Sequence, residues 1–149
     1  RMDGFSLVHR LRLDPKTRGI PVIFLSATYV APEDKSFALD IGATRFMEKP
    51  VVIEEFLALI DELLSATKLE PVEPVTEKKF YLGYRQRLEF KLAEKNLQIA
   101  RAESLVQNVT ESEREHFAGS LHNTVNERRE LLRLLKQVDE HLKRLEDAQ

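Results

Sequence analysis

The stretch IPVIFLSA at residues 20–27 decides the fold class of this chain. Residues 20–26 form a short unbroken apolar run rich in β-branched side chains, which is typical of a strand buried on both faces of a parallel sheet. A second short strand is predicted at residues 44–48, directly before Lys49 and Pro50. Because parallel strands end at one edge of their sheet, where ligands commonly bind, Ser26 and Lys49 are predicted to share that edge.

Three helical patterns accompany the two strands. Residues 4–13 carry Phe5, Val8 and Leu11 at helical spacing, and Asp3 is placed to cap this helix. A second helix is predicted to begin at Pro32 and to stop at Gly42. A third helix, at residues 53–64, is predicted to bury one apolar side made of Phe56, Leu57, Ile60, Leu63 and Leu64. Strands that alternate with helices predict an α/β fold with a parallel sheet.

The composition changes near residue 67. Residues 67–76 contain Pro71 and Pro74 and predict a short, stiff, extended linker. From residue 77 onwards there is no proline and little glycine, and Glu, Lys, Arg, Leu and Gln dominate. The sequence therefore predicts three segments: an α/β part at 1–66, a linker at 67–76 and a helical part at 77–149.

Heptad spacing marks the helical part. One seam has Tyr81, Leu88, Lys95, Ala102 and Val109 on one line and Leu92, Ile99 and Val106 on the other. A capping box at residues 110–113 indicates that a new helix starts there. The second seam has Leu121, Arg128, Leu135 and Leu142 interleaved with Phe117, Thr124, Leu131, Val138 and Leu145. Together these patterns predict an antiparallel coiled-coil hairpin, with one continuous rod as the alternative. They leave open whether the helices pair within one chain or between two chains.

The bulk composition excludes several classes of function. The net charge of −2, from 23 basic and 25 acidic residues, gives no electrostatic argument for binding nucleic acid or an anionic membrane. The chain has no cysteine, which excludes a disulfide scaffold, a thiol nucleophile and a thiolate zinc site. No apolar run has the length of a membrane-spanning helix, and no signal peptide is recognisable. We therefore expect a cytoplasmic protein.

Five motifs in register connect the first part to a known family. They are MDGF at 2–5, LRLDP at 11–15, IPVIFLSA at 20–27, DIGA at 40–43 and FMEKP at 46–50. In order and spacing, they resemble the second half of a response-regulator receiver domain. The resemblance covers residues 1 to about 66 and implies a partial flavodoxin-like parallel sheet of two strands with three helices.

The resemblance also implies what lies outside this sequence. In the family, an aspartate at the end of the third strand accepts phosphate from a histidine kinase or a phosphotransfer protein. That position falls before Arg1, and the acidic pair that helps to bind Mg²⁺ falls earlier still. We therefore expect a fragment that contains neither the phosphoacceptor nor the metal ligands, so that Mg²⁺ is required only by the intact receiver domain.

Three residues match the part of the family that senses the phosphoryl group. Ser26 matches the hydroxyl residue that bonds a phosphoryl oxygen, and Lys49 matches the lysine that pairs with the aspartate or its phosphate. Phe46 matches the aromatic switch residue whose rotamer follows that hydroxyl. The peptide bond between Lys49 and Pro50 matches the family's cis peptide. A hydroxyl and an ammonium are suitable receivers for a group with about two negative charges.

The sequence thus predicts a non-enzymatic signalling fragment that relays phosphorylation to a helical output or dimerisation segment. The simplest structural alternative gives Ser26 a hydroxyl bonded to the local backbone and makes Lys49 a solvated side chain. A second alternative takes His122 as the phosphoacceptor of a histidine-kinase-type helix pair. A third makes the coiled coil a passive scaffold. The partners expected are an upstream kinase or phosphotransfer protein and a second copy or a helical output domain.

Overall fold

The computed structural model describes residues 2–66, 72–106 and 111–148, and it describes their side chains except at 106 and 111–117. Seven elements follow in the order α1 (Gly4–Leu13), β1 (Ile23–Ser26), α2 (Pro32–Asp40), β2 (Arg45–Glu48), α3 (Ile53–Ser65), α4 (Glu77–Val106) and α5 (Glu111–Asp147). The protein is mostly helical, with one small parallel sheet. It divides into two compact units, Arg1–Phe80 and Tyr81–Gln149. The segment boundaries predicted near residues 66 and 76 stay predictions.

The sheet of the first unit consists of β1 and β2, which pair in parallel from Ile23 opposite Arg45 to Ser26 opposite Glu48. The prediction that the first strand starts at residue 20 and is buried on both faces is wrong. The strand begins at Ile23, and Leu25 is 37% exposed. The physical reason lies in Ile20 and Pro21, because the Ile20 carbonyl accepts a bond from Arg12 and Pro21 has no N–H to donate.

Helix α1 has the predicted bounds, and Asp3 caps it by accepting the Ser6 N–H at 3.0 Å. Its buried side differs from the prediction, since Arg12 is buried and Leu11 is only half-buried. The Arg12 guanidinium donates to the carbonyls of Gly42 at 2.8 Å, Arg18 at 3.1 Å and Ile20 at 2.9 Å. These bonds give the buried guanidinium the acceptors it needs. They also hold α1, the loop at residues 18–20 and the turn at Gly42 together.

Helix α2 begins at Pro32 as predicted, and the chain turns at Gly42, which has a φ of 110°. A side chain there would be strained by this φ, and its Cβ would lie 2.7 Å from the Cγ of Arg12. Ala38 and Ile41 are buried beside this turn. The glycine therefore closes the helix and makes room for the buried arginine.

An exposed ion pair of 2.6 Å joins Glu62 of helix α3 to Arg45 of β2. The prediction of one buried apolar side is wrong for two of its five residues. Leu57 is 55% exposed and Leu64 is 76% exposed, whereas Leu63 is buried. Each exposed leucine follows an inward-facing residue by one position, which turns it about 100° around the helix axis.

The second unit contains α5 and the part of α4 from Tyr81 onwards. Arg85 pairs with Asp139 at 3.2 Å and Lys95 pairs with Glu127 at 2.6 Å, so the two helices contact each other in antiparallel order. Among the described residues of this unit, the buried apolar and aromatic side chains are Tyr84, Leu88, Ile99, Leu131, Val138 and Leu142. Lys91 is buried where the heptad pattern places Leu92, and Leu92 is half-buried.

Some predicted features lie outside the described residues. They are residues 67–71 of the linker, Val109 of the first heptad seam and Thr110 of the capping box. The side chains of Val106, Glu113 and Phe117 also lie outside them.

Candidate functional site

The ends of the two strands lie side by side. Ser26 is paired with Glu48, and the backbone N–H of Lys49 donates to the Ser26 carbonyl at 2.8 Å. Because the strands are parallel, both residues stand at the carboxyl edge of the sheet. The structure thus brings the backbones of Ser26 and Lys49 together at one edge. We call Ser26, Lys49 and the loop that follows Ser26 the strand-end site.

Ser26 is buried, and its hydroxyl organises the loop after β1. The Oγ atom accepts the backbone N–H of Tyr29 at 2.8 Å and that of Thr28 at 3.2 Å. They are the local backbone hydrogen bonds that a purely structural role of Ser26 predicts. They occupy acceptor positions of the oxygen, whereas the hydroxyl proton can still be donated to another acceptor. The geometry therefore allows Ser26 both to hold its loop and to donate to an anion.

Lys49 is exposed, and the peptide bond between Lys49 and Pro50 is cis. Within the parts of the chain that the structure describes, its ammonium forms no ion pair. A side chain that begins beside Ser26 and carries an uncompensated charge can reach an anion at this edge.

Phe46 lies in β2 on the same side of the sheet as Ser26, because alternate residues of paired strands share a face. It is half-buried and stacks on Phe24, with ring centroids 5.7 Å apart and planes 10° apart. Phe24 in turn stacks on Phe5 of α1 at 4.8 Å. The predicted switch residue is therefore in contact with the aromatic core of the first unit.

The sequence reasoning missed Tyr29 and its acidic neighbours. Burial, followed by the negative charges of Asp3 and Asp34, raises the pKa of Tyr29 to about 12. Asp34 is fully buried, and its Oδ2 accepts the Ala31 N–H at 3.2 Å. The position of Asp34 in the first turn of α2 signals a helix-start role, but nothing in the sequence indicates that it faces Tyr29.

His122 lies in the second unit, whereas Ser26, Phe46 and Lys49 all lie in the first. It is exposed on α5. Among the described residues, no group of three or more His, Asp or Glu side chains is arranged to hold a metal ion. No described helix contains an apolar stretch of the length needed to cross a bilayer.

Several known proteins to which the chain is similar are regulators by name. No protein-family model matches the chain, and no solved structure matches it. The chain is 39% identical to the DNA-binding dual master transcriptional regulator RpaA of Synechocystis over 71 residues, which are 48% of this chain and 29% of that protein. It is 45% identical over 64 residues to the Gliding motility regulatory protein of Myxococcus xanthus, covering 42% of this chain and 8% of that protein.

A third relative is the Regulatory protein VirG of Agrobacterium tumefaciens, which is 40% identical over 60 residues, or 40% of this chain and 21% of that protein. The chain therefore spans less than a third of the length of each of these three relatives. All three are regulators by name, and the similarity supports the receiver-like relationship that the sequence motifs indicate.

Proposed function

We propose that residues 1–66 form the carboxyl-terminal half of a phosphorelay receiver domain, whose switch residues relay phosphorylation to the helical part of the chain. The observation that carries the proposal is the adjacency of Ser26 and Lys49 at the ends of two parallel strands, with the Lys49 N–H bonded to the Ser26 carbonyl at 2.8 Å. A hydroxyl and an ammonium at one sheet edge suit a phosphoryl group supplied by another segment.

The proposal assigns each residue a role. Ser26 donates its hydroxyl proton to a phosphoryl oxygen, and Lys49 neutralises part of the negative charge. Phe46 responds to the movement of the Ser26 loop, since it lies on the same face of the sheet. The phosphoacceptor aspartate and the Mg²⁺ ligands belong to the preceding half of the receiver, and the chain itself performs no catalysis.

The relatives support this role in a general way. Receiver domains take phosphate from a histidine kinase or a phosphotransfer protein, and these are the partners we propose upstream. The antiparallel contacts between α4 and α5, at Arg85 with Asp139 and Lys95 with Glu127, suit a coiled-coil hairpin. We propose that this hairpin is the output or dimerisation element, in a cytoplasmic protein.

The test uses a longer polypeptide, in which the first half of a receiver domain is joined before residue 1 of this sequence. Spin labels replace the exposed Leu97 of α4 and Leu132 of α5, and the distance between them is measured before and after treatment with acetyl phosphate and Mg²⁺. We expect the distance distribution or the oligomer size to change on phosphorylation. Lys49→Ala should weaken this response, and Lys16→Ala, in an exposed loop, should leave it intact.

Two results would favour the alternatives. A phosphorylated protein with unchanged label spacing and oligomer size would contradict the relay and favour a passive helical scaffold. Phosphate on the 149-residue chain itself, transferred by a cognate kinase and lost in His122→Ala, would move the phosphoacceptor to α5. The exposure of His122 makes that second assay practicable.

A further inference from the structure

The rings of the first unit form an unbroken series of contacts. Phe46 stacks on Phe24 at 5.7 Å, and Phe24 stacks on Phe5 at 4.8 Å. Phe5 meets Phe37 of α2 at 5.1 Å, and Phe37 stacks on Phe80 of α4 at 6.0 Å. We call these five rings the aromatic chain; its members are Phe46, Phe24, Phe5, Phe37 and Phe80. All four ring-to-ring distances lie within the range at which aromatic pairs attract.

Phe80, the last ring of the aromatic chain, is buried and stacks on a second ring. Phe80 is 1% exposed, and the His9 ring lies parallel to it at 4.2 Å with planes 2° apart. The His9 Nε2 also bonds the carbonyl of Val75 at 3.0 Å, one residue before Thr76, whose side chain caps α4 by accepting the Lys79 N–H. The first turn of α4 is therefore fixed to α1 and α2 by a buried ring and a hydrogen bond.

The near end of the aromatic chain belongs to the strand-end site. Phe46 shares a sheet face with Ser26, and it is half-buried, so its ring has room that the fully buried Phe5 and Phe80 lack. The aromatic chain thus begins at a ring that can change position and ends at one that anchors a long helix.

We propose that the aromatic chain transmits the state of Phe46 to the first turn of α4, through the contacts that Phe37 of α2 and His9 of α1 make with Phe80. The proposal rests on the proposed function, because it takes Phe46 as the switch residue. It goes beyond that function by assigning the route and by giving Phe37, Phe80 and His9 a role in signalling.

Close packing supplies the physical reason. Protein interiors have few voids, so a ring that moves forces its neighbours into another packed arrangement instead of leaving a gap. A second route from β2 to α4 exists along the backbone, through α3 and the segment that follows it. The two routes can be separated, because changes at Phe37 and His9 remove the ring contacts with Phe80 and leave the backbone route unaltered.

The experiment uses the 149-residue chain with 4-fluorophenylalanine at position 80 and reads its ¹⁹F resonance. We expect Phe46→Leu to move this resonance by more than its linewidth. Met47→Leu is the matched control, since Met47 is the next residue of β2, is also half-buried and faces the other side of the sheet. This control should leave the resonance in place.

The interrupting variant combines Phe37→Leu with His9→Leu, because both rings contact Phe80. In that background, Phe46→Leu should no longer move the position-80 resonance, since neither ring is left to press on Phe80. Amide spectra of each variant establish that the first unit is folded, and Phe37→Met, which also removes the ring but retains a larger apolar side chain, replaces Phe37→Leu where it is not. An unmoved resonance in Phe46→Leu, an equal movement in Met47→Leu, or a movement that survives both interrupting variants would each overturn the proposal.

This experiment needs no phosphorylation, so its outcome is independent of the proposed function. Loss of ring coupling together with a phosphorylation-dependent change in helix spacing would leave the relay standing and assign it to the backbone route. Intact ring coupling in a protein that does not respond to phosphorylation would contradict the relay alone.

Discussion

Among the residues whose side chains are described, each unit buries one Lys or Arg side chain, and the two are held in different ways. Arg12 of the first unit donates to carbonyls at residues 18, 20 and 42, so its partners are spread along the chain. Lys91 of the second unit pairs with Glu94, three residues further along the same helix, at 2.7 Å. The carbonyls that bind Arg12 therefore belong to other segments of the chain, whereas Glu94, which pairs with Lys91, belongs to the same helix.

The largest expected effect comes from Arg12→Met. The variant leaves three backbone carbonyls without their donor, and each such loss costs about 1–3 kcal/mol. We expect the free energy of opening of the first unit to fall by about 4 kcal/mol. It is measured by hydrogen exchange of the Ala43 amide, which donates to the Ala38 carbonyl at 2.9 Å. Arg10→Met, on the exposed side of the same helix, should change it little. Equal effects of the two variants would show that the buried hydrogen bonds of Arg12 do not stabilise the first unit.

Gly42→Ala tests the same buried contact from the other side. The positive φ and a Cβ 2.7 Å from the Arg12 Cγ both disfavour a side chain, and we expect a loss of about 2–3 kcal/mol in the same exchange measurement. Gly19→Ala is the control, because no atom lies within 4 Å of its Cβ position. A neutral Gly42→Ala would show that the turn and Arg12 can rearrange freely.

The raised pKa of Tyr29 predicts that the stability of the first unit depends on alkaline pH. Its pKa is raised to about 12 in the folded protein from about 10 in the unfolded chain, so the folded state retains the proton that the unfolded state loses. Stability should therefore fall as the pH rises from 10 to 12, by about 1–2 kcal/mol once solvent access to the ring is allowed for.

The measurement compares urea unfolding of the wild type and Tyr29→Phe at pH 9 and pH 11. The wild type should lose more stability than the variant, which has no phenol to ionise and retains the packing of the ring on Phe5 at 5.0 Å. Identical losses would show that Tyr29 does not carry the effect.

The smallest expected effect belongs to Lys91→Met. The side chain of Glu94 is 44% exposed, so after the substitution its charge is solvated by water and is not left buried without a partner. We therefore expect a change within about 1 kcal/mol. Hydrogen exchange of the amides of α4 around Leu88 measures it. A loss as large as that expected for Arg12→Met would show that the second unit also depends on one specific cation.

Much of the first unit could be predicted because its signals are local. The bounds of α1, its Asp3 cap and the turn at Gly42 follow from side-chain chemistry within a few residues, and the structure confirms them. The burial of Arg12 could not be predicted, since the carbonyl of Gly42 that binds it lies 30 residues away. The exposed Leu57 and Leu64 were missed because α3 is apolar around more than half of its circumference.

Part of the candidate site could likewise be predicted from the sequence, and part could not. The motif order placed Ser26 and Phe46 on two strands and Lys49 directly after the second, and the structure shows those strands paired in parallel. The aromatic chain was not predictable, because its rings belong to five separate elements and nothing in the spacing of Phe5, Phe37 and Phe80 indicates that they meet. Tertiary packing determines which of these rings meet, and the pattern of a single sequence does not indicate that packing.

The central claim is that Ser26 and Lys49 receive a phosphoryl group and that Phe46 responds. The most direct measurement places 4-fluorophenylalanine at position 46 of the longer polypeptide and follows its ¹⁹F resonance on treatment with acetyl phosphate and Mg²⁺. The account predicts a new resonance whose intensity rises with the phosphorylated fraction and which is lost in Ser26→Ala. A single unchanged resonance in a fully phosphorylated protein would contradict it.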